Sequence, residues 1–139
     1  MNHPATRDAA LLFLRLVTGV IFIAHGWQKV FIVGMDGPTG TAATFERMHI
    51  PQPQVSAWAA SLLEMLGGAM LIVGLLATAV AGVLVVYMAL VLWFVHWGHG
   101  FFAADGGMEL ALLTIAALIV VVVFGSGWVS LDRAFSRFG

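Results

Sequence analysis

The sequence predicts an all-α fold: an integral membrane four-helix bundle with a short interfacial helix in its first connection. Three observations carry that expectation. Of the 139 residues, 61% are hydrophobic and only 9% are charged, too few charges to coat a water-soluble domain of this size. Four apolar runs approach or exceed the roughly 20 residues that a helix needs to cross the hydrocarbon. The tryptophans Trp27, Trp58, Trp93, Trp97 and Trp128 fall near the predicted ends of those runs, where amphipathic rings settle at headgroup level.

The elements follow in order along a single transmembrane domain covering residues 1–139. The first span is expected over about residues 9–33 and carries Arg15, His25 and Lys29. Arg7 ahead of an apolar run is reminiscent of a signal peptide, but Arg15 interrupts the run and no small-residue cleavage site follows, so the segment is read as a retained helix. The connection from Gly34 to Gln54 is rich in turn residues, Asp36-Gly37-Pro38, Gly40, Pro51 and Pro53. Within it Ala42, Phe45 and Met48 recur at helical spacing, which predicts a short helix over Thr41 to Met48 lying at the interface. Val55 to Trp97 holds one charged residue, Glu64, and is about twice the length of a span, so it must fold back on itself. Spans over 55–76 and 79–97 result, with the turn between Gly74 and Gly82. The second connection is Gly98 to Gly107, and the fourth span covers about 108–128.

An even number of spans puts both termini on one side, and Arg7 and Arg15 with Arg133 and Arg137 make that side cytoplasmic in a cell membrane. Lys29 and Arg47 oppose this on the other side, so the bias is modest. A net charge of −1 leaves no basic face for nucleic acid. The absence of cysteine removes disulfide exchange, Fe–S ligation, covalent c-type haem and thiolate metal sites together.

Ionisable groups inside a span cost roughly 3 kcal/mol or more at the centre, so they turn inward and find partners. At about 1.5 Å per residue, His25 and Lys29 on the first span, His96 on the third and Glu109 on the fourth stand at similar height in the outer part, with Glu64 nearer the middle. Arg15, Thr18, Phe22, His25 and Lys29 alternate by three and four, which predicts one narrow arc facing the bundle. Ser61, Glu64, Gly67 and Gly68 form a matching small and polar stripe that lets a neighbouring backbone come close. Burial disfavours the charge of Glu64, and a neighbouring Arg15, His25 or Lys29 favours it. Arg15 is read as a structural partner that holds helices in register or snorkels to the inner headgroups, and His25, Lys29 and Glu64 as a ligand or proton-handling site. A plain fastener is the competing reading of the whole set. His3, His49, Asp36 and Asp105 are expected in water. His96 and His99, with Glu109, have a metal-compatible spacing but weak helical geometry, and no metal is assigned.

The residues resemble the DoxX family of small bacterial four-helix membrane proteins, nearly end to end. The likeness is carried by His25-Gly26-Trp27-Gln28-Lys29 with Phe31, by Gly40-Thr41-Ala42-Ala43 with Phe45 and Pro51, and by Leu63-Glu64 with Gly67-Gly68. Gly100-Phe101-Phe102, Gly107-Met108-Glu109-Leu110 and Ser130-Leu131-Asp132 continue it. The chain departs at Thr78, where relatives commonly carry a basic residue. The resemblance implies a membrane subunit of a redox system, similar to the membrane subunit of thiosulfate:quinone oxidoreductase, and distant relatives look like assembly factors.

On that footing the expected ligand is a quinone-type or similar lipophilic molecule at the outer cluster. His25 and Lys29 donate to a quinone carbonyl, Glu64 with His96 and Glu109 moves protons, and Phe22, Phe31 and Trp93 flank the ring. No catalytic group is assigned. No electron carrier is recognisable in the chain, so a soluble oxidoreductase or a larger membrane complex is the expected partner beside the bilayer. A noncovalent haem between His25 and His96 ranks below the quinone, and a small transporter or proton path ranks below both. The alternative function is a non-catalytic accessory or assembly subunit of a larger membrane complex.

Overall fold

The computed structural model describes residues 4–125 and Ala134. His3, Trp128, Arg133, Arg137 and the Ser130-Leu131-Asp132 segment, named above, lie outside the described residues. Every regular element among the described residues is helical. α1 (Pro4–Trp27), α2 (Thr41–Arg47), α3 (Pro53–Val73), α4 (Ala77–Val91) and α5 (Glu109–Phe124) follow in order. α1 continues into a π-turn, Gln28–Ile32, and α4 into another, Leu92–His96. One 3₁₀ turn, Ala103–Asp105, lies in the second connection.

Among the described residues, three helical stretches are long and apolar enough to cross a membrane: Ala5–Ile32, Pro53–Val73 and Ala77–His96, of 28, 21 and 20 residues. α5 is equally apolar but has 16 residues, about 24 Å. α1 starts ahead of the expected residue 9, because Pro4 opens a helix well and Ala5 to Asp8 extend it without a breaker. α5 runs to Phe124 and is followed by Gly125 at φ 75°, and the expected end at residue 128 lies outside the described residues.

The turn between α3 and α4 occupies the start of the predicted interval. Gly74 takes a left-handed φ of 74°, its N–H reaching Leu71 O at 3.2 Å, while Leu75 N–H reaches Met70 O at 2.9 Å. This closing pair satisfies carbonyls that the helix end would otherwise leave bare. Leu76, also left-handed at φ 49°, then starts α4, so three residues reverse the chain.

α1 packs along α3 and α4 along α5, while α3 meets α4 and α1 meets α5, so contacts run round the four apolar helices. The α1–α3 contact is set by glycine. A Cβ on Gly19 would stand 2.5 Å from the Gly68 carbonyl oxygen, and one on Gly26 would stand 2.7 Å from the Ser61 carbonyl oxygen. Both steps are seven residues, 19 to 26 and 61 to 68, which is an antiparallel register in which missing side chains let backbones touch. The apolar core lies toward the α3–α4 turn: Phe22, Leu71, Ala77, Ala81, Leu84, Leu118 and Val121. The opposite end of the four helices carries the two π-turns and both long connections, and the contacts of Glu64 with the segments on either side of α3 lie toward it.

Candidate functional site

Lys29 and Glu64 meet at this end. Lys29 Nζ lies 2.6 Å from Glu64 Oε1, with the lysine side chain 23% exposed and the glutamate 5%. The glycine register explains the reach. If Gly19 is level with Gly68 and Gly26 with Ser61, Lys29 is level with Trp58, six residues from Glu64 and about 9 Å along the axis. Side chains lean toward the N-terminus of their own helix, and in an antiparallel pair those directions converge, so a long lysine and a glutamate close the gap.

A third group completes the contact. Tyr87 on α4 donates its hydroxyl to the same Glu64 Oε1 at 2.8 Å. One carboxylate oxygen thus joins three helical segments: the π-turn after α1, α3 and α4. Sequence reasoning passed over Tyr87, although it is the chain's only tyrosine and stands in an otherwise aliphatic helix, which is the signal that could have found it. The first connection anchors the lysine's own turn. Thr41 Oγ1 donates at 2.9 Å to the carbonyls of both Lys29 and Gly34, and its N–H reaches Gly34 O at 2.8 Å.

The structure divides the rest of the expected cluster. His25 is exposed and does not join Lys29 and Glu64. At 100° per residue the buried positions Arg15, Thr18, Gly19, Phe22 and Gly26 centre on a line about 75° from His25, so Gly26 occupies the interior place assigned to it. His96 and Glu109 serve the second connection: His96 Nδ1 lies 2.8 Å from Gly106 O, and Glu109 Oε1 accepts from Ala103 N–H at 3.1 Å. His99 is exposed, and no three His, Asp or Glu among the described residues are grouped to hold a metal. Arg15 is fully buried, with Nη1 3.4 Å from Leu71 O, deep between α1 and α3. Asp8, which the sequence reading did not single out, is also buried on α1, and its Oδ2 accepts no hydrogen bond from the described residues.

A cavity of about 360 Å³ opens between α3, α4 and the first connection. Phe45, Ile50, Pro51, Ala59, Ala60, Leu63, Leu90, Val91, Phe94 and Val95 make it apolar, and Ser56 and Tyr87 supply its hydroxyls. Its aromatic wall is Phe45, Phe94 and Tyr87 rather than the expected Phe22, Phe31 and Trp93. Phe22 is buried in the core, Phe31 stacks on Trp27 at 4.2 Å, and Trp93 stacks on Trp97 at 5.4 Å, both pairs on the outside. The physical reason is helical phase: Phe94 and Val95 continue the face of Tyr87, Leu90 and Val91 at the i, i+3, i+4, i+7, i+8 spacing, and Trp93 falls well off that face. Pro51 and Ile50 reach the cavity because His49 and Gln52, at φ 60° and 49°, bend the chain sharply on either side of them.

The sequence profile of the DoxX family matches residues 10–97. An uncharacterised protein of Haemophilus influenzae is 34% identical over 141 residues, covering 98% of each chain. An uncharacterised membrane protein of Mycobacterium tuberculosis is 30% identical over 138 residues, covering 92% of this chain and 82% of its own. CatD of Bacillus subtilis, whose name carries a provisional oxidoreductase label, is 34% identical over 77 residues, 55% of this chain and 52% of its own. No solved structure gives a significant match.

Proposed function

The chain belongs to the DoxX family of multi-pass membrane proteins, and from that premise we propose that it is the membrane subunit of a redox system. Its cavity takes a quinone-type or similarly lipophilic ligand on the extracytoplasmic side, and a separate oxidoreductase works with it. Four helices span the cell membrane as a bundle, α2 lies at the interface, and both termini are cytoplasmic. The oxidoreductase label of CatD supports the redox assignment.

The observation that carries the reading is the junction of an apolar cavity with a charged pair through one side chain. Tyr87 lines the cavity and donates to Glu64, which in turn holds Lys29. About 360 Å³ falls in the range of roughly 300–1,000 Å³ common for ligand sites. The lining suits a ring and an alkyl tail, and the polar end can carry a proton outward: the Lys29 ammonium releases one to water, Glu64 then takes the Tyr87 hydroxyl proton and hands it to the neutral Lys29 amine, and the ligand O–H re-protonates Tyr87. Lys29, more exposed than Glu64 and set on the outer turn, would exchange protons with water. Electrons would come from or go to the partner.

The test is organic extraction of the purified full chain with redox difference spectroscopy of the extract, alongside Glu64→Gln. Wild-type protein is expected to carry a reducible lipophilic species. Glu64→Gln should lose most of it while keeping its monodisperse profile.

The accessory reading also has an observation in its favour: Lys29, Glu64 and Tyr87 fasten three helical segments where the glycine register already brings two together. Under it, wild-type extract contains no such species, and every polar substitution acts on stability alone.

A further inference from the structure

The two hydroxyls in the cavity wall have already committed their protons. Tyr87 donates at 2.8 Å to Glu64 Oε1, which Lys29 Nζ also approaches at 2.6 Å. A carboxylate facing an ammonium is an acceptor only, so the hydrogen in the Tyr87 bond must be the tyrosine's. Ser56 Oγ donates at 2.5 Å to Pro51 O, and a carbonyl likewise can only accept. Each hydroxyl oxygen therefore offers its remaining lone pairs to whatever occupies the cavity. The other lining side chains carry no polar atom.

This asymmetry separates the two redox forms of the ligand class proposed above, and the inference rests on that proposal. An oxidised quinone presents carbonyl oxygens, which are acceptors and would meet only acceptors. A reduced hydroquinone or a phenol presents O–H groups, each able to donate to Tyr87 or Ser56. We propose that the cavity selects the hydroxyl-bearing, reduced form of a lipophilic ring over its carbonyl form, with Tyr87 and Ser56 as the selecting residues. The preference comes from an unmet polar group: a carbonyl taken out of water into this wall finds no donor, unless Tyr87 gives up Glu64 to supply one.

Binding of three probes to the full chain in mild detergent tests this, followed by quenching of tryptophan fluorescence: decylubiquinol, decylubiquinone and the dimethyl ether of decylubiquinol. The ether keeps ring and tail but has no hydroxyl to donate. The quinol should bind about tenfold more tightly than either of the others, the size expected for one or two neutral hydrogen bonds. Tyr87→Phe removes an acceptor and should cut the preference, leaving the affinity for the quinone nearly unchanged. Ser56→Ala should do the same more weakly, and it serves if Tyr87→Phe does not fold. Quinone binding as tight as quinol, abolished by the cavity-filling Val91→Trp, would overturn the selectivity and leave the ligand site standing. Equal weak binding of all three, insensitive to Val91→Trp or displaced by excess phospholipid, would overturn the ligand site itself and make the cavity a groove for acyl chains.

Discussion

The α1–α3 pair and the α4–α5 pair are both antiparallel, apolar and side by side, yet they are held by different means. Between α1 and α3 the buried groups include Arg15, Thr18, Ser61 and Glu64, and the backbones touch at Gly19, Gly26 and Gly68. Between α4 and α5 the buried positions are Ala77, Ala81, Leu84, Ala111, Leu118 and Val121, without a polar group. Lipid tails are as apolar as leucine, so side-chain packing alone gains little between helices in a bilayer, while close backbone approach and hydrogen bonds gain more and hold one register. α1 and α3 therefore form the positioning frame, and α4 brings Tyr87 to it across an interface with more tolerance.

The same kind of lesion placed in each pair should separate the two. Gly68→Val drives a branched side chain into the Gly19 carbonyl and the Ile23 backbone, where neither can retreat. A loss of about 3 kcal/mol or more is expected, read as a collapse of the monodisperse peak or of the melting temperature in detergent. A fully folded Gly68→Val protein would mean that α1 and α3 are not in contact. Lys29→Met should come next, at about 2 kcal/mol after discounting for the lysine's partial exposure, because it leaves the Glu64 carboxylate buried with only Tyr87. Adding Glu64→Gln to it should restore most of that loss; failure of the double variant to recover would show that the pair does not act as a unit.

On the other side, Leu84→Ala removes a fully buried side chain from the core it shares with Leu118 and Val121 of α5 and should cost about 2 kcal/mol without changing the α1–α3 register. A cross-link between cysteines introduced into α1 and α3 would form as readily in this variant as in its parent. Gly82→Ala is the smallest expected effect. Nothing lies within 4 Å of the added Cβ, so the change should be neutral or stabilising by up to about 1 kcal/mol through helix propensity. A large loss there would reveal a partner on the outer face of α4.

The helices and their turns were legible in the sequence because their signal is a run of apolar residues with glycine at the breaks, which is local. Glu64 was legible too, as the lone charge in a long apolar stretch, and Lys29 as a member of a helical arc. His25 was misplaced within that arc. A repeat of three and four averages 3.5, a helix turns at 3.6, and the buried face follows the glycines to Gly26 instead. Tyr87 and the cavity were not legible because both are properties of three segments meeting: no spacing within α4 says that Glu64 will be opposite Tyr87. The aromatic wall failed for a related reason. Phe94 and Val95 share the face of Tyr87, Leu90 and Val91 at ordinary helical spacing, but that this face borders a cavity depends on where α3 and the first connection meet it.

The paired π-turns have an implication for the chain's history. A π-turn holds one residue more than an α-helix uses for the same advance, as the bond from Val33 N–H back to Gln28 O illustrates. Loss of a single codon within Gln28–Ile32 or Leu92–His96 is therefore a lesion the helix itself can absorb by tightening to ordinary pitch. The tightening would leave Lys29 and Phe94 near the faces they hold and would instead turn and shift the connection that follows, which after Gln28–Ile32 carries Phe45, Ile50 and Pro51 of the cavity wall. Descendants that have shed that residue would keep the architecture and forfeit the chamber, which offers a route by which one scaffold yields both ligand-bearing and purely scaffolding members.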